Sequence, residues 1–109
     1  MTDLTTRRCL PCEGGVDPLS PGDAASMLTQ APGWALSADG KSIERSFQLR
    51  NFHLTMALTN AIAWIAHRED HHPDMHVGYN RLRVIYTTHA IGGLSENDFI
   101  CAAKINALD

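Results

Sequence analysis

Residues 67–80 read His-Arg-Glu-Asp-His-His-Pro-Asp-Met-His-Val-Gly-Tyr-Asn and carry four of the chain's 6 histidines. Imidazole ordinarily titrates near neutrality, so such a cluster suits either holding a metal or moving protons. His67 and His71 are four apart, the spacing of neighbours on one helical face if a helix reaches that far. His71 and His72 are adjacent, and Pro73 pushes His72 out of helical backbone, so the two rings leave a fixed corner in different directions. His89 stands further on, at the end of the run Tyr-Thr-Thr-His and just before Gly92 and Gly93. Ends of rigid elements are where side chains are delivered into a cleft.

Three readings of this cluster compete on spacing alone. His-x-x-x-His with a further histidine is ligand-like, but His67-Arg68-Glu69-Asp70-His71 lacks the Glu that follows the first His in a His-Glu-x-x-His site. Two or three imidazoles around a small pocket can protonate one atom of a substrate and deprotonate another at neutral pH. The third reading is a solvated helix end with incidental histidines. No serine or cysteine stands in a recognisable nucleophile setting, which weighs against covalent chemistry. Cys9 and Cys12 form a lone Cys-x-x-Cys and Cys101 is remote, too few for a four-ligand zinc site or a disulfide framework. Reduced thiols in an arm are expected.

The elements that must position these groups follow from caps and periodicity. Residues 1–18, with Pro11, Gly14, Gly15 and Pro18, show no apolar period and read as an N-terminal arm lying on a domain of residues 19–109. Ser20 as N-cap, Pro21 and Asp23 start a short helix that Pro32 and Gly33 stop. Asp39-Gly40 marks a hairpin between Trp34–Leu36 and Ile43–Leu49. From Asn51, the stripe Leu54, Leu58, Ala61, Ile62 and Ile65 predicts the main core helix, ending near Asp70, with Trp64 also in the core. Val77 to Tyr86 supplies two more strands turning near Asn80, and Ser95 with Asp98 forms a capping box for a closing helix. Tight turns imply antiparallel pairing, and single-stripe helices must lie on one sheet face. The expected class is α+β, a two-layer sandwich of a four-stranded antiparallel sheet with three helices on one face.

Composition narrows the partners. The chain has 109 residues, 44% hydrophobic and 19% charged, as expected of a single packed domain. A net charge of -3, with 9 Lys and Arg spread along the chain, offers no basic stripe for nucleic acid. No apolar run approaches a membrane span and the first residues lack the apolar stretch of a signal peptide, so a cytoplasmic location is expected. A core this small favours association into a homodimer or homotetramer.

With those residues in view, the chain resembles the pterin-4a-carbinolamine dehydratase family. That family is recognised by a leading acidic, Lys or His residue, three residues, His-His-Pro, an aromatic, a His after nine intervening residues and an Asp beyond. His67, His71-His72-Pro73, Tyr79, His89 and Asp98 fill these positions. The likeness extends from Gly33-Trp34 through Phe47 to the closing helix, and Arg8-Cys9-Leu10-Pro11-Cys12 is similar to the arm of bacterial members. It implies a hydro-lyase that converts 4a-hydroxytetrahydrobiopterin to quinonoid dihydropterin plus water, in tetrahydropterin recycling beside an aromatic amino acid hydroxylase. Neither metal nor organic cofactor is implied. The catalytic set carries over to His71, His72 and His89: His71 and His89 as proton donors to the departing hydroxyl, His72 as a pterin contact that assists proton removal. Asp70, Pro73, His67 and Asp98 are the substrate-binding candidates, Asp98 being equally a helix cap. His67 departs from the commoner acidic residue, and Met75 stands where animal members often carry Trp. The alternatives kept are a coactivator-like dimerisation partner of a transcription factor and a His-rich metal-binding domain; His53 and His76 match nothing and are expected at the surface.

Overall fold

The computed structural model describes residues 3–11 and 17–108. Its elements are α1 (Pro21–Leu28), β1 (Ala35–Leu36), β2 (Ile43–Gln48), α2 (Phe52–Glu69), β3 (Asp74–Val77), β4 (Arg81–Tyr86) and α3 (Glu96–Asn106), with 3-10 turns at Leu4–Thr6 and His89–Ile91. The four strands form one antiparallel sheet in the order β1-β2-β4-β3. The fold is the α+β sandwich that the periodicity implies.

Register divides the sheet into two faces. Ile43 pairs with Tyr86, Phe47 with Leu82 and Met75 with Val84, so these side chains share the face beneath the helices. Leu82, Val84 and Tyr86 are fully buried there. The opposite face carries Glu44, Arg83 and His76, where Arg83 Nε donates to the Glu44 carboxylate at 2.5 Å. The alternation along β4 is that of a sheet with one covered face.

The caps form as expected. Ser20 Oγ accepts from Asp23 N–H at 3.2 Å and Asn51 Oδ1 from Leu54 N–H at 2.9 Å. Burial of the helices departs from the expectation in two ways. The α2 stripe is shallow: Ile62 is buried, but Leu54 is 46% exposed and Trp64 60% exposed, so neither belongs to the core. The α3 helix is instead buried on almost all sides, from Asn97 through Ala103. Its outer side is closed by the arm, whose Leu4 is 3% exposed against it. One short segment far away in sequence thus covers the side of α3 that a helix lying on one sheet face would otherwise leave to solvent. The first hairpin also differs, because β1 spans two residues and Trp34 lies outside it, buried with its indole N–H donating to Asn106 at 3.0 Å.

Candidate active site

The α2–β3 corner is built by a helix that stops abruptly. The α2 helix ends at Glu69, and Asp70 adopts left-handed backbone (φ 52, ψ 42) as its C-cap. The next N–H, from His71, returns to the Ala66 carbonyl at 3.1 Å, satisfying the helix end. His71 therefore lies outside the helix and does not share a face with His67. Pro73 is buried and leads directly into β3 at Asp74.

The third histidine arrives by strand register. Asp74, at the start of β3, pairs with Ile85 near the end of β4, so the His71–Pro73 corner lies beside residues 86–88. There Thr88 N–H donates to the Gly93 carbonyl at 2.9 Å, closing a tight turn that holds His89. Gly92 has φ +69, a value that favours glycine, and a Cβ on Gly93 would meet Pro18 Cβ at 2.8 Å. This turn tolerates little bulk.

His71, His72 and His89 line one cavity of about 460 Å³, together with Asp70, Arg68, Glu69, Thr87, Thr88, Ala90, Asn97 and the arm residues Cys9, Leu10 and Pro11. That volume suits a small heterocycle. His71 has the firmest setting of the three. Its Nε2 contacts Asp98 Oδ1 at 2.6 Å, and its ring stacks on Tyr86 with centroids 5.4 Å apart and planes 13° from parallel. Asp98 is fully buried, and its other oxygen accepts from Thr88 Oγ1 at 2.8 Å and Ser95 N–H at 3.0 Å. Asp98 thus serves at once as capping-box residue and as partner of His71. Burial is the largest influence on the His71 pKa and pushes it down, but the Asp98 hydrogen bond and charge, with smaller help from Cys101 and Asp70, outweigh it. The net shift is upward. His72 and His89 are exposed.

Not every sequence candidate reaches the cavity. His67 is exposed and sits against Trp64, ring centroids 5.3 Å apart, and neither it nor Pro73 lines the cavity. Asp98 stands behind His71 and is not in the lining. His53 and His76 are at the surface, as expected. Among the described residues, no group of three or more His, Cys, Asp or Glu is placed to hold a metal ion. Sequence reasoning missed Tyr86, Thr88 and Glu69. Tyr86 reads locally as one more apolar strand residue, and nothing in its neighbours announces the ring stacked on it. Glu69 reads as a solvated helix end. In the fold it is buried, accepting from Cys9 N–H at 2.8 Å, with Lys104 Nζ at 3.3 Å and Arg8 Nε at 3.4 Å.

Residues 17–108 match the family model described as Pterin 4 alpha carbinolamine dehydratase. This chain belongs to that family. The activity for which the family is named is that of a hydro-lyase. A protein of Nitrosomonas europaea named as a pterin-4-alpha-carbinolamine dehydratase is 63% identical over 97% of this chain and 93% of its own length. One of Nitrosospira multiformis with the same name is 58% identical, covering 97% of this chain and 92% of the relative. The crystal structure of a transcriptional coactivator/pterin dehydratase from Brucella melitensis superimposes with a TM-score of 0.79 at 31% identity, over 84% of this chain and 97% of that one. No helix among the described residues is long and apolar enough to cross a membrane.

Proposed function

We propose that this protein dehydrates a 4a-hydroxytetrahydropterin to the quinonoid dihydropterin by general acid–base catalysis from His71, His72 and His89. The observation that carries the proposal is the convergence of these three imidazoles, from two separate segments, on one cavity. The reaction transfers one proton to the C4a hydroxyl, which leaves as water, and removes one from a ring N–H, so acid and base must flank a single flat substrate. His71 suits the acid: the Asp98 carboxylate favours its protonated form and fixes its orientation, leaving Nδ1 as the nitrogen available to substrate. His89, on the facing turn, is the second donor, and the exposed His72 contacts the pterin and assists removal of the ring proton. Asp70 lies in the cavity lining, where a carboxylate can accept from the amino-pyrimidine edge.

The biological setting we infer is tetrahydropterin recycling beside an aromatic amino acid hydroxylase, which produces the carbinolamine. We also read the N-terminal arm as accessory to the domain and the chain as a homodimer or homotetramer. Phe52, Leu54 and Trp64, exposed along α2, are apolar area that a second copy could cover.

The test is the ultraviolet change of freshly generated 4a-carbinolamine pterin, with chelator present. Acceleration that survives the chelator and drops by roughly 100-fold or more in the His71→Ala, His72→Ala, His89→Ala triple variant supports the reading. Full acceleration by the triple variant refutes it. Loss of acceleration on chelation in the unsubstituted chain refutes the metal-free mechanism.

A further inference from the structure

Cys9 and Cys101 take no part in the chemistry above. Their sulfurs are 3.6 Å apart, in van der Waals contact across a separation of 92 positions. The Cys-x-x-Cys spacing directs attention to Cys12, which lies outside the described residues; the partner that the fold supplies is Cys101. The contact is held from both sides of Cys9. Its own N–H donates to the buried Glu69 carboxylate at 2.8 Å. The next residue, Leu10, donates its N–H to Asn97 Oδ1 at 3.0 Å and accepts from Asn97 Nδ2 at 2.6 Å. Asn97 and Cys101 are one helical turn apart on α3, so one helix face fixes both the arm and the second sulfur.

The two thiols are chemically unequal. The Cys9 hydrogen bond, helped by the charge of His71, holds the Cys101 pKa below its ordinary value although burial opposes it. The bond to Cys101, reinforced by burial, drives the Cys9 pKa up. The thiolate is thus favoured on Cys101 over Cys9. Cys101 is fully buried, whereas Cys9 is partly exposed and lines the cavity.

We propose that Cys9 and Cys101 form a dithiol that hydrogen peroxide oxidises to a disulfide, fastening the N-terminal arm to α3 at the cavity wall. The Cys101 thiolate attacks one peroxide oxygen, the O–O bond breaks, and hydroxide departs and is protonated to water, leaving a sulfenic acid on Cys101. The Cys9 sulfur then displaces the sulfenic hydroxyl, which leaves as water with the thiol proton. Two thiols lose two electrons to one peroxide, which becomes two waters. Side-chain rotation must bring the sulfurs to about 2 Å. Burial of Cys101 restricts the oxidant to the smallest class, so a bulky disulfide such as glutathione disulfide does not reach it. The proposal does not depend on the dehydration reaction, and its readouts are mass and amide exchange.

The experiment uses the full chain carrying Cys12→Ser, treated in parallel with hydrogen peroxide and with glutathione disulfide. Peroxide should give a monomer lighter by two hydrogens and, on non-reducing peptide mapping, a Cys9–Cys101 linked peptide. Amide exchange in residues 3–11 should slow, and the melting temperature should rise on the order of 10 °C, all reversed by dithiothreitol. In Cys9→Ser/Cys12→Ser, peroxide should leave a sulfenic acid on Cys101, read as the gain of one oxygen on that residue and trapped by dimedone when the protein is unfolded in its presence. Bridging between chains, a glutathione adduct on Cys9, absence of the added oxygen on Cys101 in the double variant, or a Cys9–Cys12 link in the unsubstituted chain would each overturn the proposal.

Discussion

Replacing Asp98 by Asn tests the central pairing of the site, because it changes one buried oxygen and little volume. Asp98 accepts three hydrogen bonds, from His71 Nε2, Thr88 Oγ1 and Ser95 N–H. An amide has one acceptor oxygen. If that oxygen stays with Thr88 and Ser95, the amide nitrogen faces His71 Nε2, which must then accept and can no longer carry a proton there. A charge-assisted hydrogen bond of this kind is worth roughly 1.5–3 kcal/mol, so the melting temperature should fall by roughly 10–15 °C and the dehydration rate by roughly 10- to 100-fold. The pH dependence carries a definite sign. The folded His71 pKa is raised above its ordinary 6.5, so the stability it contributes is fully present below 6.5 and is lost as pH rises through the folded value. The stability gap between the two proteins, from urea unfolding across pH, should therefore be widest near about pH 6 and narrow toward alkaline pH. The His71 titration, followed by NMR, should move down in Asp98→Asn, and the alkaline limb of the rate profile should move with it. A stability gap independent of pH, or an unmoved His71 titration, would refute the reasoning.

Two further substitutions probe the corner and the arm. Asp70→Gly should stabilise the protein by roughly 0.5–1 kcal/mol, because glycine adopts the left-handed C-cap without strain, while Asp70→Val should destabilise it by more than about 1 kcal/mol; urea unfolding of both variants decides this, and a raised KM in the stabilised glycine variant would separate pterin binding from folding. Glu69→Ala should cost roughly 3 kcal/mol and loosen residues 3–11 in amide exchange, since it strands Lys104 and the Cys9 N–H. Burial alone would raise the Glu69 pKa, but Cys9, Lys104 and Arg8 outweigh it and the net shift is downward. Its contribution to stability is accordingly present above 4.5 and lost as pH falls through the depressed folded value. Glu69→Gln should flatten that part of the acid unfolding curve.

Sequence by itself determined the local structure and the catalytic candidates. Helix starts at Ser20, Asn51 and Ser95 are legible because a cap is a contact between residues three apart. The His72 backbone is legible because a proline restricts the residue before it. Spacing alone leaves three readings of the histidines open, and it is the resemblance to the family that makes His71, His72 and His89 the candidates without coordinates. Tertiary structure decided what distance along the chain conceals. Whether His89 meets His71 depends on the pairing of β3 with β4, since a strand's register is fixed by its partner and by which face is buried. Periodicity marks an apolar stripe but not what covers it, which is why α2 proves shallow at Leu54 and Trp64 while α3 is enclosed by an arm that reads as mere tail. The roles of Glu69 and Asp98 follow from burial, which gives a carboxylate few partners and makes each one count. Contacts across 60 and 92 positions, Glu69 with Cys9 and Cys9 with Cys101, leave no local signature, because only the closed fold brings those residues together.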